Sequence, residues 1–137
     1  MEYRPKECQE INPWSLTQRL EEKPLSANAM FTIKRHRTHK YNSYAKRWAE
    51  VLVDAKLPDD IEDHSEMYFK LDMKVGLSSS LADLDNCIKP LLDIIQGNLE
   101  GFNDKRVLEI HATRYKARKG EEYIEFTLTQ IFKKINQ

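Results

Sequence analysis

A strict alternation of apolar and polar side chains over residues 67–75 is the feature that most constrains the fold. The apolar positions are Met67, Phe69, Leu71, Met73 and Val75, and the polar ones are Tyr68, Lys70, Asp72 and Lys74. Because successive side chains of a strand point to opposite faces, this pattern predicts a strand with one buried face. Such a strand needs neighbouring strands and an apolar layer to cover it.

Two later segments repeat the alternation. Residues 107–115 would turn Leu108, Ile110 and Ala112 inward. Residues 123–132 would turn inward Ile124, Phe126, Leu128 and Phe132. Residues 116–120 are typical of a turn, so the two segments predict an antiparallel hairpin. A shorter strand is expected near residues 16–22.

Helical spacing of apolar residues predicts two helices. The first has its apolar positions at Tyr44, Trp48, Val51, Leu52 and Ala55, is capped by Asn42 or Ser43, and ends at Pro58. The second covers residues 85–96, ends at Gly97, and buries Ile88, Leu91, Leu92 and Ile95. Pro90 means that this helix begins near Lys89 or that its first turn is distorted.

These elements predict a two-layer α/β sandwich, with a mixed sheet and helices mainly on one face. At 137 residues the chain fits one domain, which we assign to residues 24–137 after an N-terminal extension of residues 1–23. Cys8 and Cys87 have no metal-ligand spacing, and no apolar run could span a bilayer. We therefore expect a soluble cytoplasmic protein.

The distribution of charge is more informative than its sum. The 22 basic and 22 acidic residues cancel, so the whole chain has no net attraction for nucleic acid. The segment 34–47, however, contains no acid and six basic residues, namely Lys34, Arg35, Arg37, Lys40, Lys46 and Arg47. Such a run is often plain solvated surface, but interleaving with Tyr41 and Tyr44 favours contact with DNA phosphates and bases.

Acidic side chains gather before the second helix. Asp83 and Asp85 are one residue apart, Lys89 follows, and Asp104 comes after the next loop. Carboxylates in such a group repel one another unless a cation neutralises them, and Mg²⁺ takes oxygen ligands of this kind. In extended backbone the first two would point the same way and could share one ion. Lys89 could then contact a scissile phosphate.

A structural explanation of the same residues stays open. An Asp before a helix is often its cap, and Asp85 with Lys89 has the spacing of a surface ion pair. The positive end of a helix also disfavours a cation nearby. Asp93, one turn beyond Lys89, either holds that lysine or is an exposed helix acid.

The element Asp-Leu-Asp-Asn-x-x-Lys at residues 83–89 is followed by Leu-Leu-Asp-Ile-Ile-x-Gly at 91–97 and Asn-Asp-x-x-Val at 103–107. With these motifs the chain resembles the RusA family of Holliday-junction resolvases over residues 24–132. The likeness includes Pro24, Ser26 and Asn28 at its start. A departure is Asn103, where the family often has a second acid.

The resemblance implies a homodimeric, Mg²⁺-dependent endonuclease, with Mn²⁺ as an alternative ion, that nicks two opposed strands of a four-way DNA junction. It implies Asp83, Asp85 and Asp104 as metal ligands, Lys89 as the essential cation, and DNA contact by the basic segment. Such proteins are frequent in phages. Two other functions are a non-catalytic branched-DNA-binding protein of the same fold and a small metal-dependent phosphohydrolase acting on nucleotides.

Overall fold

The computed structural model describes residues 13–32, 34, 36–59 and 64–131, which form a mixed α/β fold. The strands are β1 (Ser15–Leu20), β2 (Tyr68–Leu77), β3 (Val107–Lys116) and β4 (Tyr123–Ile131). The helices are α1 (His39–Val51) and α2 (Ile88–Asn98). The four strands make one open sheet in the order β1-β4-β2-β3. Arg35 and Phe132 lie outside the described residues.

Strand β2 confirms the alternation read from the sequence. Phe69, Leu71 and Val75 are fully buried, whereas Lys70 and Asp72 on the other face are partly exposed. The helices cover the buried face, where the Trp48 ring of α1 packs 5.5 Å from the ring of Phe126. The prediction of a mixed sheet with helices on one face is therefore confirmed.

The predicted hairpin of β3 and β4 is wrong. Strand β4 lies antiparallel between β1 and β2, while β3 pairs parallel with the far side of β2. The connection crosses the end of β2, where the Ala117 N–H donates to the Leu77 carbonyl at 3.1 Å. Ile124, Phe126 and Leu128 of β4 have no exposed area, and a central position with a strand on each side supplies the cover they need.

The expectation that Leu108 and Ile110 point into the core is also wrong. Their exposed fractions are 48% and 42%, and Ala112 is half-buried. Strand β3 is at the edge of the sheet, so side chains there lack a neighbouring strand on one side. A register shift between Phe69 and Lys70 of β2 leaves Leu108 without a partner in that strand.

Helix α1 begins earlier than predicted. Thr38 is its N-cap, and the Thr38 hydroxyl accepts a hydrogen bond from the Tyr41 N–H at 3.1 Å, so the assignment of the cap to Asn42 or Ser43 is wrong. The earlier start adds Tyr41 to the buried face, beside Tyr44 and Trp48. It also places Lys40 on the helix, which was already predicted to carry Lys46 and Arg47.

Helix α2 has the distorted entrance that Pro90 implied. Asp85–Cys87 forms a 3-10 turn, and the α-helix proper starts at Ile88, which puts Pro90 in the first turn. The predicted last residue is Gln96, whereas the helix runs to Asn98, so the predicted end is two residues too early. Gly97 does not take the left-handed conformation of a helix-ending glycine, and helical backbone bonding continues past it, since the Leu99 N–H donates to the Ile95 carbonyl at 2.9 Å.

No helix in the described part of the chain is long and apolar enough to cross a membrane.

Candidate active site

Asp83 and Asp85 lie at the entrance of α2, as predicted, and both are exposed. The backbone between them differs from the expectation. Leu84 has φ −60° and ψ −44°, which is helical rather than extended. The strand-like alternation that would have aimed both carboxylates at one ion is therefore not the local geometry.

The structural explanation of these acids also fails in this structure. The residues at the N-cap positions of the 3-10 turn and of α2 are Leu84 and Cys87, and neither position has a side-chain cap. The Asp83 carboxylate accepts a long hydrogen bond, 3.4 Å, from the Asn86 amide. Among the described residues Asp85 has no ion-pair partner, because the Lys89 ammonium contacts Asp93 instead.

Asp93 holds two cations. One carboxylate oxygen accepts from Lys89 Nζ at 2.8 Å, and the other lies 3.1 Å from an Arg37 guanidinium nitrogen. The Asp93 side chain is only 13% exposed, compared with 58% for Lys89 and 39% for Arg37. The sequence left Asp93 either as a partner of Lys89 or as an exposed helix acid, and the structure has it paired with Lys89. The contact joins α2 to the basic segment.

Arg37 is fixed by aromatic rings as well as by Asp93. Its guanidinium carbon lies 4.5 Å from the Phe31 ring centre and 4.3 Å from that of Tyr41. Tyr41 is 8% exposed, and burial raises the pKa of its hydroxyl. A guanidinium held between two rings keeps a defined orientation while part of it remains open to a ligand.

Asp104 approaches the same region from the loop after α2. It opens the 3-10 turn Asp104–Arg106, and its N–H donates to the Gln96 side chain of α2 at 2.9 Å. Asn103, the departure from the family pattern, caps this turn by accepting from the Lys105 N–H at 2.9 Å. The hydrogen bond to Asp93 raises the pKa of Lys89, and the nearby Asp104 charge contributes in the same direction.

The carboxylates have the donor chemistry for Mg²⁺, but they do not form a complete ligand set here. No group of three or more His, Cys, Asp or Glu side chains in the described part of the chain is close enough to hold a metal ion. Mg²⁺ in phosphoryl-transfer sites is often held by one or two carboxylates, with water and substrate phosphate as the other ligands. Asp83 and Asp85 fit that smaller requirement in number and exposure.

The predicted DNA-binding residues differ in their availability. Lys34, Arg37, Lys40 and Lys46 are exposed. Arg47 instead forms a two-pronged contact with Glu22, one branch at 2.6 Å, which raises the Arg47 pKa and takes up its charge. A cleft of about 700 Å³ lies between residues 22–29 and α1, and Lys40 and Arg47 help to line it.

Sequence reasoning missed Arg114 of β3. Its guanidinium donates to the carbonyls of Ser79 and Ala82, and so it anchors the loop that carries Asp83. Arg114 alternates with the residues of its strand that were predicted to point inward. A charged residue at such a position is only a weak indication that it anchors a loop. The reading of Cys87 as a small buried hydrophobe is confirmed, since it is 4% exposed and burial raises the pKa of its thiol to about 11.

Replacing Asp93 with asparagine should lower the pKa of Lys89 toward its ordinary value of 10.5. A lysine pKa raised by folding stabilises the fold below the unfolded value, and this contribution is lost as pH rises through the folded value. Asp93→Asn should therefore cost up to about 1 kcal/mol near neutral pH, with the difference shrinking in alkali.

Titration of lysine side-chain NMR signals measures the shift, with Lys89→Met to assign the resonance. The exposed Glu100→Gln, in the neighbouring loop, is the matched control and should leave the Lys89 pKa in place. An unchanged Lys89 titration in Asp93→Asn would contradict the pairing.

The sequence matches no protein-family model, and it has no significant match among curated proteins.

Proposed function

We propose that this protein is a Mg²⁺-dependent, structure-selective endonuclease that resolves Holliday junctions or other branched DNA by paired nicks. The observation that supports it best is the contact of three separate segments. Asp93 joins Lys89 to Arg37 of the basic segment, and the Asp104 N–H donates to the Gln96 side chain, which joins the following loop to the same helix. These are the segments whose residue types suit phosphodiester cleavage.

Lys89 and Arg37 would bind the phosphate. Their shared partner is largely buried while both cations are partly exposed, so a phosphate oxygen can approach them from the solvent side. Two cations against one carboxylate leave a net positive charge for the anion. The Lys89 ammonium, fixed by Asp93, would stabilise the negative charge that develops on the phosphate oxygens as the bond breaks.

The acids at the helix entrance have a different role in this proposal. Asp83 and Asp85 would hold Mg²⁺ or Mn²⁺, with water and substrate phosphate as the other ligands. When bound, the ion would supply an activated water and a counter-charge for the phosphate. The exposed carboxylates of Asp83 and Asp85 are available for that use, since neither serves as a helix cap.

Basic residues beyond the site would bind the arms of the junction. Lys34, Lys40 and Lys46 are exposed on the segment that also presents Arg37. Contacts of this kind act mainly on phosphates, so binding should weaken steeply with salt and carry little sequence preference. A homodimer would offer two equivalent sites to a junction with two-fold symmetry. We also propose a cytoplasmic location, which agrees with the free buried thiol of Cys87.

The test is cleavage of a synthetic four-way junction with and without Mg²⁺, compared with duplex DNA of the same sequence. The proposal expects paired, symmetric nicks near the branch point that require the metal, and little cutting of the duplex. Tight junction binding without cutting at any metal concentration would instead identify a non-catalytic branched-DNA-binding protein. Hydrolysis of free nucleotides that survives loss of Arg37 would identify a phosphohydrolase.

A further inference from the structure

Strand β3 is an unusual edge. It has ten residues, it pairs with β2 on one side, and no described strand pairs with its other side. Both faces are largely open, and Leu108, Ile110 and Tyr115 are 48%, 42% and 45% exposed. A long edge strand with exposed apolar residues is a template for pairing with another strand.

We propose that β3 is the surface through which two copies of this chain associate, by antiparallel pairing of the two β3 strands with Ile110 at the two-fold axis. The two four-stranded sheets would then form one continuous sheet of eight strands. Two-fold symmetry requires antiparallel edges, since each strand must present the same residues to the other.

The side chains of β3 select one register. With Ile110 at the axis, Ile110 faces its own copy, and Leu108 lies near Ala112 of the partner subunit. Glu109 faces His111 of the partner subunit, and the reverse pair repeats the contact. The charged and apolar positions therefore match each other across the axis, which is the pattern that stabilises cross-strand pairs.

Neighbouring registers are less favourable. Centring on Glu109 would place two carboxylates opposite each other. Centring on His111 would put Leu108 against an arginine, Arg114, and centring on Ala112 would put Ile110 against the same residue. Like charges or a mismatch of apolar and charged groups directly across a sheet are destabilising.

Within one chain the Glu109 carboxylate already lies 3.7 Å from the His111 ring nitrogen. The two side chains share the sheet face turned away from the helices, so across the axis they would form a four-membered cluster of alternating acid and imidazole. The opposite edge is a poorer candidate. Strand β1 has six residues, and its exposed positions are the polar Ser15, Thr17 and Arg19.

The first test is sedimentation velocity of the full chain over a range of concentrations. The wild type should be a dimer, and Ile110→Lys should raise the dimer Kd by about a hundredfold, because two ammonium groups would meet at the axis. Thr17→Lys adds the same charge to β1 and should leave the Kd unchanged. Circular dichroism and thermal melting check that both variants fold, as expected for exposed positions.

The second test concerns the register. Glu109→His and His111→Glu should each weaken the dimer, because each places like groups opposite each other. The double variant exchanges the two residues and should restore the dimer, which a merely local effect of either change would not do.

A monomeric wild type at every concentration would overturn the proposal, and would be the result if another part of the same chain covers β3. A dimer Kd that is unchanged by Ile110→Lys, or one that is raised by Thr17→Lys, would overturn it as well. The inference does not depend on nuclease activity. A dimer that fails to cut junctions would contradict the proposed function alone. Junction cleavage by a protein whose dimer Kd is unchanged by Ile110→Lys would contradict this interface alone.

Discussion

Asp85→Asn is expected to reduce junction cleavage by about a hundred- to a thousandfold, the size typical for loss of one group that stabilises charge in the transition state. The substitution keeps the size of the side chain and removes its negative charge. In the described structure Asp85 is exposed and has no ion-pair partner, so the fold loses no contact. Junction binding without metal should remain or become tighter, because one charge that repels phosphate is gone.

Single-turnover cleavage and electrophoretic binding on the same junction separate the two effects. Asp54→Asn is the matched control, since Asp54 is an exposed acid just beyond α1 and should affect neither quantity. Cleavage by Asp85→Asn at the wild-type rate would show that the residues at the start of α2 do not belong to the active site. An equal loss in Asp54→Asn would show that the effect comes from overall charge.

The second large effect concerns stability. Leu128→Ala should lower the free energy of unfolding by about 2 to 5 kcal/mol, because Leu128 has no exposed area and the deletion leaves a cavity in the centre of the sheet. Leu108→Ala removes the same atoms from β3, where the side chain is 48% exposed. Its cost should stay below about 1 kcal/mol.

Urea denaturation measures both values, at low protein concentration so that any association through β3 does not add to the result. The comparison checks the strand order directly. A hairpin in which both strands turn their leucines inward would make the two losses similar. Equal destabilisation by the two variants would therefore contradict the central position of β4.

Local patterns predicted the elements well. The alternation in β2 and the spacing around Trp48 depend on the period of each element alone, and both are confirmed. The ends were less predictable. Thr38 became the cap of α1 because its hydroxyl reaches the Tyr41 N–H, while Asn42 and Ser43 are cap-type residues that the helix includes. Propensity does not distinguish among neighbouring cap candidates.

Strand order was beyond the reach of the same patterns. Strands β3 and β4 both alternate, and the short connection after Lys116 made a hairpin the simplest expectation. Which of them becomes central depends on the total apolar area that each can bury between neighbours and under helices. Ile124, Phe126 and Leu128 bury theirs completely, and the matching residues of β3 do not.

The sequence by itself determined that this protein contains strands of period two and two amphipathic helices, and that Asp83 and Asp85 stand at a helix entrance. Those features depend on neighbours in the chain, which the order of residues specifies. Only the tertiary structure decided that Asp93 joins Lys89 to Arg37, that the Asp104 N–H contacts Gln96 of α2, and that no described strand pairs with the outer side of β3. These contacts join residues far apart in the chain, and packing of the whole sheet and helix layer is what brings them together.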